Sequence, residues 1–408
     1  MVKRNVHLAK LNAGYLFPEI TKRKQALLER QPHAQLISLG IGDTTQPLSQ
    51  HVSLRLQEYA SGLATLEGYS GYGPEQGQAA LRQRISEKLY GGTVNADEVF
   101  ISDGSKCDIG RLQLLFGANA SIAVQDPTYP VYVDTGVIMG QSSHYNADHA
   151  RYGQFIYMHC LPSNGFFPDL TSLPRTDVIY FCSPNNPTGS VATRQQLTEL
   201  VAFAKRNRSI IVFDAAYACY IRDPNLPRSI YEIAGAREVA IELGSFSKMA
   251  GFTGVRLAWS IVPNELYFED GAAVRNDWHR IATTCFNGAS NIAQRGGLAV
   301  LEDQGWQDVQ RMVNFYMENA SLIKRTLEEL GLAVYGAIQA PYVWVHFPQR
   351  RSWDVFEEIL EKTHIITTPG SGFGSGGECF LRFSAFNHRS AILEAMKRLR
   401  HYWNHEES

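Results

Sequence analysis

One recurrence constrains the fold more than any other feature of the chain. Five times between residues 99 and 243 a short apolar, strand-like run ends in a polar turn, and several of these turns open into a segment of helical period. Val99-Phe100-Ile101 passes through Ser102-Asp103-Gly104-Ser105 into a helix near Cys107–Phe116. Ser121-Ile122-Ala123-Val124 runs into Asp126-Pro127-Thr128-Tyr129-Pro130. Asp177–Cys182 leads through Ser183-Pro184-Asn185-Asn186-Pro187-Thr188-Gly189 to a helix near Arg194–Arg206. Ile210–Phe213 ends on Asp214, and Val239–Leu243 on a serine-rich turn. Such alternation specifies an α/β domain with a largely parallel sheet. Ligands of such sheets sit beyond the carboxyl ends of the strands, where each of these polar clusters falls.

The last third reads differently. Gln307–Leu330 has long helical periodicity with interleaved charge, which suggests a helix with a solvated face. Strand-like runs at Leu332–Tyr335, Val343–Phe347 and Cys379–Ser384 alternate with helices near Trp353–Lys362 and Arg389–Trp403. A smaller α+β domain is expected here, joined by the N-terminal segment. The division is 1–45 as N-terminal arm and part of the small domain, 46–290 as the large domain and 291–408 as the small one.

Charge and composition exclude several classes of function. The 38 basic residues nearly balance 40 acidic ones, and a net charge of -2 offers no footprint for nucleic acid or an anionic membrane. No apolar run is long enough for a transmembrane helix, and no apolar segment follows the basic start Met1-Val2-Lys3-Arg4. The six cysteines are scattered, without a CxxC pair, as expected of reduced thiols in a cytoplasmic protein. No Cys/His set has zinc spacing, so no metal is expected. The glycine-rich Gly370–Gly377 precedes a strand-like run and not a helix, so the dinucleotide-loop context fails; it reads as a flexible loop that feeds Arg382 forward.

The strand-end residues form a chemical set: Gly104-Ser105-Lys106, Tyr129, Asn186, Asp214 with Tyr217, Ser245 with Lys248, and Arg256. Taken singly, Asn186-Pro187-Thr188-Gly189 reads as a turn and Gly104-Ser105 as a helix cap. Together they supply a base, an aromatic, a lone acid, an amide and an anion-binding group. That set suits pyridoxal phosphate, which requires a lysine for its aldehyde, a partner for its ring nitrogen and a phosphate cup.

Asn186-Pro187-Thr188-Gly189, Asp214-Ala215-Ala216-Tyr217 and Ser245-Phe246-Ser247-Lys248 with Arg256 eight residues on resemble the fold-type I, class I aminotransferases. Phe380-Leu381-Arg382 is similar to the family's substrate-carboxylate arginine. The resemblance implies a large domain with a mostly parallel seven-stranded sheet plus a smaller α+β domain. A narrower resemblance covers nearly the whole chain. It rests on Ala13-Gly14-Tyr15-Leu16-Phe17-Pro18-Glu19-Ile20, Leu39-Gly40-Ile41-Gly42-Asp43-Thr44-Thr45, Gly71–Gly77, Asp103–Asp108 and Cys285–Ser290, and points to the branch that acts on LL-diaminopimelate.

By that resemblance Lys248 binds the cofactor's aldehyde and then carries a proton, and Asp214 pairs with the ring nitrogen. Asn186 and Tyr217 bond the ring oxygen, and Tyr129 stacks on the ring. Gly104, Ser105, Lys106, Ser245 and Arg256 form the phosphate cup at a helix N-terminus. Tyr72 reaches the phosphate of the neighbouring subunit in a two-fold homodimer with shared sites. Arg382 takes the substrate α-carboxylate, with Ile41-Gly42 closing over it, and Tyr129 and Asn186 border the substrate. Glu75 is the candidate for the distal ammonium; Tyr15, Lys106 and Asn287 are candidates for the distal carboxylate, with Glu75 and Asn287 coming from the partner. The implied reaction exchanges LL-diaminopimelate and 2-oxoglutarate for tetrahydrodipicolinate and glutamate. A related class I aminotransferase of lysine/pipecolate or aromatic substrates is the alternative. A non-catalytic relative is disfavoured by the presence of Lys248, Asp214 and Arg382 together.

Overall fold

The computed structural model describes residues 1–11, 16–147 and 149–406. Seven strands form the main sheet: β1 Val99–Ser102, β2 Ile122–Asp126, β3 Phe155–His159, β4 Val178–Cys182, β5 Ile210–Asp214, β6 Ala240–Ser245 and β7 Ala258–Ile261. Their order is β1-β7-β6-β5-β4-β2-β3. All pairings are parallel except those of β7, which runs antiparallel to both neighbours. Every residue of β2, β4 and β6 is buried. That is why these segments read as continuous apolar runs without alternation.

A second, antiparallel sheet has the order β8-β9-β11-β10, built from β8 Ala333–Gly336, β9 Tyr342–His346, β10 Thr368–Pro369 and β11 Phe380–Ser384. The N-terminal helix α1 (Leu16–Arg30) joins this second unit. Its Leu16, Ile20 and Leu27, with Ile37 and Leu39, share one apolar cluster with residues 320–399. Ile37-Ser38 also pairs in parallel with Ile365-Ile366.

The two units are tied by a long helix, Asp303–Glu329. Its interleaved charge lies on a solvated face, as the sequence suggests, while an apolar stripe is buried. Val309, Val313, Tyr316 and Met317 enter the core of the main sheet, and Ala320, Ile323 and Leu327 enter the second core. Over 27 residues the helix is long enough to bury one stripe in both. The change of core therefore falls between Met317 and Ala320, inside the helix.

The glycine-rich stretch also departs from expectation. It is not a loose loop but two short 3-10 turns, Gly370–Phe373 and Ser375–Gly377. The buried Asp126 carboxylate, at the end of β2, fastens them: Gly376 N–H donates to Oδ1 at 2.9 Å and Ser375 Oγ to Oδ2 at 2.9 Å. Arg151 adds an ion pair to the same carboxylate at 2.9 Å, and Thr128 N–H donates to the Phe373 carbonyl at 2.8 Å. The end of the main sheet thereby fixes Phe373 in place. Among the described residues no helix is long and apolar enough to cross a membrane.

Candidate active site

A cavity of about 400 Å³ opens at the carboxyl ends of β4, β5 and β6. Three poles of different chemistry meet there.

The first is anionic and buried. Asp214 closes β5, its Oδ2 accepting from the Tyr132 hydroxyl at 2.7 Å and its Oδ1 from the Ala216 N–H at 3.0 Å. Burial pushes the carboxyl's pKa up, and the bonds from Tyr132 and Ala216 oppose this only in part. Among the described residues no side-chain cation pairs with it, so the carboxylate suits a cationic ring N–H.

The second pole is an anion cup. Gly104 leaves β1 with φ +143°, a region open to glycine alone, and a side chain there would strike the Arg256 guanidinium. The helix Ser105–Phe116 starts at once, without a side-chain cap. No group in the described residues accepts from the Ser105 and Lys106 amides, so two donors at a helix N-terminus are free for an anion. Ser245 Oγ accepts from the Ser247 N–H at 3.1 Å, which leaves its own proton for the cavity.

The third pole holds Lys248 and Arg382. Lys248 sits in the one-turn helix Phe246–Met249 that follows β6, and its Nζ donates to the Gly42 carbonyl. Burial lowers its pKa to about 8; Asp43 opposes this, while Arg382 and Arg256 add to it. In cofactor-free protein, reaction of Lys248 with a small uncharged aldehyde under reducing conditions should therefore rise with pH around a midpoint near 8. An ordinary lysine would give a midpoint near 10.5. Peptide mass mapping across a pH series reads this directly, and a midpoint near the ordinary value would refute the burial argument.

Arg382 on β11 is 1% exposed. Its Nη1 donates to Asn186 Oδ1 at 2.6 Å and its Nη2 to the Gly40 carbonyl at 2.7 Å. The guanidinium is sandwiched 4.4 Å from the Tyr342 ring and 4.8 Å from Phe373. Its Nε is buried without a partner. An orphaned donor on a planar, buried cation marks a place for a carboxylate. Because the Asn186 oxygen is committed to Arg382, the amide's NH2 group is left to donate elsewhere.

The cavity brings together Ile41, Gly42, Ser105, Lys106, Tyr129 and Asn186 with Asp214, Tyr217, Ser245, Lys248, Arg256 and Arg382. Lys106 Nζ stands 5.9 Å over the Tyr129 ring. Four expected residues are not among them: Gly104, which lies beside the cup against Arg256, and Tyr72, Glu75 and Asn287. Tyr72 is 92% exposed on the surface. Glu75 and Asn287 lie on adjoining loops, since a Cβ at Gly288 would meet the Pro74 carbonyl at 3.1 Å and Glu75 Cα at 3.5 Å. Tyr15 lies outside the described residues.

Tyr132, Tyr342, Ser247 and Thr253 line the cavity without having been singled out in the sequence. Tyr132 lies one helical turn beyond Tyr129, a spacing that a face-by-face reading of Val131–Met139 could have used. Tyr342 comes from the second sheet, and no local signal connects it with Tyr217.

This arrangement fits pyridoxal phosphate: a lysine for the aldehyde, a buried acid for the ring nitrogen and free amides with Arg256 for the phosphate. The fold and the site define a pyridoxal-phosphate transferase. The chain belongs to the family described as aminotransferase class I and II, whose sequence pattern matches residues 34–399. Members of this family depend on pyridoxal phosphate, and so does this enzyme. More narrowly, it is 59% identical over 401 residues to LL-diaminopimelate aminotransferase of Protochlamydia amoebophila, covering 98% of each chain. It is 58% identical over 400 residues to the chloroplastic LL-diaminopimelate aminotransferase of Arabidopsis thaliana, covering 98% of this chain and 87% of that one. The solved structure of L,L-diaminopimelate aminotransferase from Chlamydomonas reinhardtii superposes with a TM-score of 0.95 at 57% identity, covering 98% of this chain and 99% of that one.

Proposed function

We propose that the enzyme transfers an amino group between LL-diaminopimelate and 2-oxoglutarate, giving tetrahydrodipicolinate and glutamate, in a two-stage exchange at one site. The observation that carries this reading is the near-complete likeness to aminotransferases named for that substrate, at 57–59% identity. The bound cofactor supplies an electron sink for the carbanion formed when the substrate Cα loses its proton.

The chain's own residues have distinct tasks. Lys248 would hold the cofactor's aldehyde and, once freed, move the proton at Cα; a pKa lowered to about 8 gives it a far larger neutral fraction at physiological pH than an ordinary lysine has. Asp214 keeps the ring nitrogen protonated, and Tyr132 and Ala216 hold that carboxylate in place. The Asn186 amide and the Tyr217 hydroxyl donate to the ring oxygen, and Tyr129 covers the ring face. Gly104, Ser105, Lys106, Ser245 and Arg256 bind the phosphate. Arg382 binds the α-carboxylate, with Ile41 and Gly42 above it.

Tyr72, Glu75 and Asn287 serve a second copy of the chain in a homodimer with shared sites. The exposure of Tyr72 and Asn287, and the contact between the loops that carry Glu75 and Asn287, support that reading. Glu75 meets the distal ammonium of diaminopimelate; Asn287, Lys106 and Tyr15 meet its distal carboxylate. The compartment is the cytoplasm, consistent with six cysteines that are all free thiols.

The test is an absorbance titration of the purified protein with LL-diaminopimelate and no keto acid. The cofactor band should convert fully to the aminated form, as it should with glutamate. Conversion by glutamate alone would remove the named substrate and keep the enzyme class. Glu75→Gln should lower kcat/KM for diaminopimelate about tenfold or more, the loss of one hydrogen-bonded charge, and spare glutamate. Equal losses for both substrates would remove the role given to Glu75.

A further inference from the structure

The hydroxyls of Tyr217 and Tyr342 lie 2.7 Å apart, and neither bonds another group among the described residues. Both rings are buried and both line the cavity. Two hydroxyls carry two protons. One proton must bridge the pair, and the other is free to point outward. Which residue keeps the free proton decides what the pair can do.

The second sheet decides it. Tyr342 on β9 pairs with Ser384 on β11, so Arg382 is its diagonal neighbour on the same face. The Arg382 guanidinium stands 4.4 Å from the Tyr342 ring. A cation at that distance makes a phenol a better donor. Tyr342 is also held from above, because a side chain at Gly42 would meet its hydroxyl at 2.5 Å. The backbone at Gly42 thus closes off that side of the hydroxyl, and Tyr217 is the acceptor within reach. The other titratable groups facing this hydroxyl are Cys182, a buried thiol, and Tyr220, a buried phenol; burial pushes both pKa values up and keeps both neutral.

We infer that Tyr342 is a positioning residue that donates its proton to Tyr217, so that Tyr217 directs its own proton at the ring oxygen of the cofactor, and that this relay connects Arg382 to the cofactor. The inference rests on the role of Tyr217 proposed above. Chained donors polarise one another, so Tyr217 becomes a stronger donor than a lone tyrosine. When a substrate carboxylate neutralises Arg382, the relay weakens and the cofactor feels the arrival of substrate through two hydroxyls. Arg382 would then serve both as an anchor and as a sensor of occupancy.

The experiment is a pH titration of the cofactor's absorbance band in the holoenzyme. A donor that satisfies the ring oxygen competes with the internal N–H···O bond of the lysine-bound nitrogen, and so lowers that nitrogen's proton affinity. Tyr342→Phe should raise the proton affinity about three- to tenfold, the effect of one modest hydrogen bond. The Tyr217→Phe/Tyr342→Phe double variant should shift no further than Tyr217→Phe alone, because Tyr342 acts through Tyr217. Glutarate, an unreactive dicarboxylate, should raise the proton affinity of the wild-type protein at least twice as much as that of Tyr342→Phe. Additive shifts, or equal responses to glutarate, would overturn the inference. If Tyr342→Phe does not bind cofactor, 3-fluorotyrosine at position 342 keeps the shape and donates more strongly. It should lower the proton affinity, and an unchanged midpoint overturns the inference. A wild-type protein without any cofactor band would instead defeat the enzyme reading itself.

Discussion

Lys248→Ala should lower kcat/KM for both amino donors by about 10⁴-fold or more, since it removes the covalent anchor and the proton carrier together. No neighbour can replace it. Asp214 is bonded to Tyr132 and Ala216 on the far side of the cavity, and the hydroxyl pKa values of Tyr217 and Tyr342 are raised by burial. Asp43 is exposed at the mouth of the cavity. The variant should still fold, because Lys248 makes one side-chain hydrogen bond, to the Gly42 carbonyl, and stands at the cavity wall. It should also still hold pyridoxal phosphate through the cup at Gly104 and the acid at Asp214. Stopped-flow absorbance should then show cofactor bound but not exchanging with amino acid, and a small primary amine admitted to the vacated space should restore part of the rate. Unimpaired half-reactions would remove Lys248 from the chemistry.

Much of this site was legible because the main sheet concentrates its chemistry at strand ends, and strand ends are local in sequence. A buried parallel strand is a continuous apolar run, so the residue that closes it stands out: Asp214 after Ile210–Phe213, and Ser102-Asp103-Gly104 after Val99–Ile101. What was not legible depends on pairs far apart in the chain. Tyr217 and Tyr342 are 125 residues apart, and Tyr132 and Asp214 are 82 apart. Neither partner carries a turn or cap signal that names the other. Strand β7 also escaped notice, since it is four residues long and runs against the parallel pattern. The charge on Asp303–Glu329 marks its solvated face but hides the buried stripe. Long polar side chains project from a helix that is buried along only one stripe, and the composition of its window is then dominated by the exposed face. The glycine-rich turns at 370–377 were misread because their order comes from the Asp126 carboxylate in another part of the chain.

Asp214→Asn should separate what a buried charge does for chemistry from what it does to the fold. In the loaded enzyme the change should lower kcat about 10²–10³-fold with little change in KM, the usual cost of losing one electrostatic stabiliser aimed at developing charge. An amide cannot keep the ring nitrogen protonated, so the electron sink weakens, while Arg382 and its carboxylate contact are untouched. In the cofactor-free protein the sign reverses. Burial raises the Asp214 pKa in the folded state, so its protonated form contributes stability at low pH, and that stability is lost as pH rises through the raised value. The wild-type apoprotein should therefore lose stability across that window, and Asp214→Asn, with nothing to titrate, should lose less. Tyr132 can still donate to the amide oxygen, so the variant adds no unsatisfied hydroxyl. Thermal melting of the apoproteins across a pH series, set beside kcat and KM of the loaded enzymes, reads both effects. A variant that is slow but shows the same pH-dependent loss as wild type would mean that Asp214 is not the buried charge the fold must carry. A variant that keeps its kcat would mean that the ring nitrogen finds its partner elsewhere.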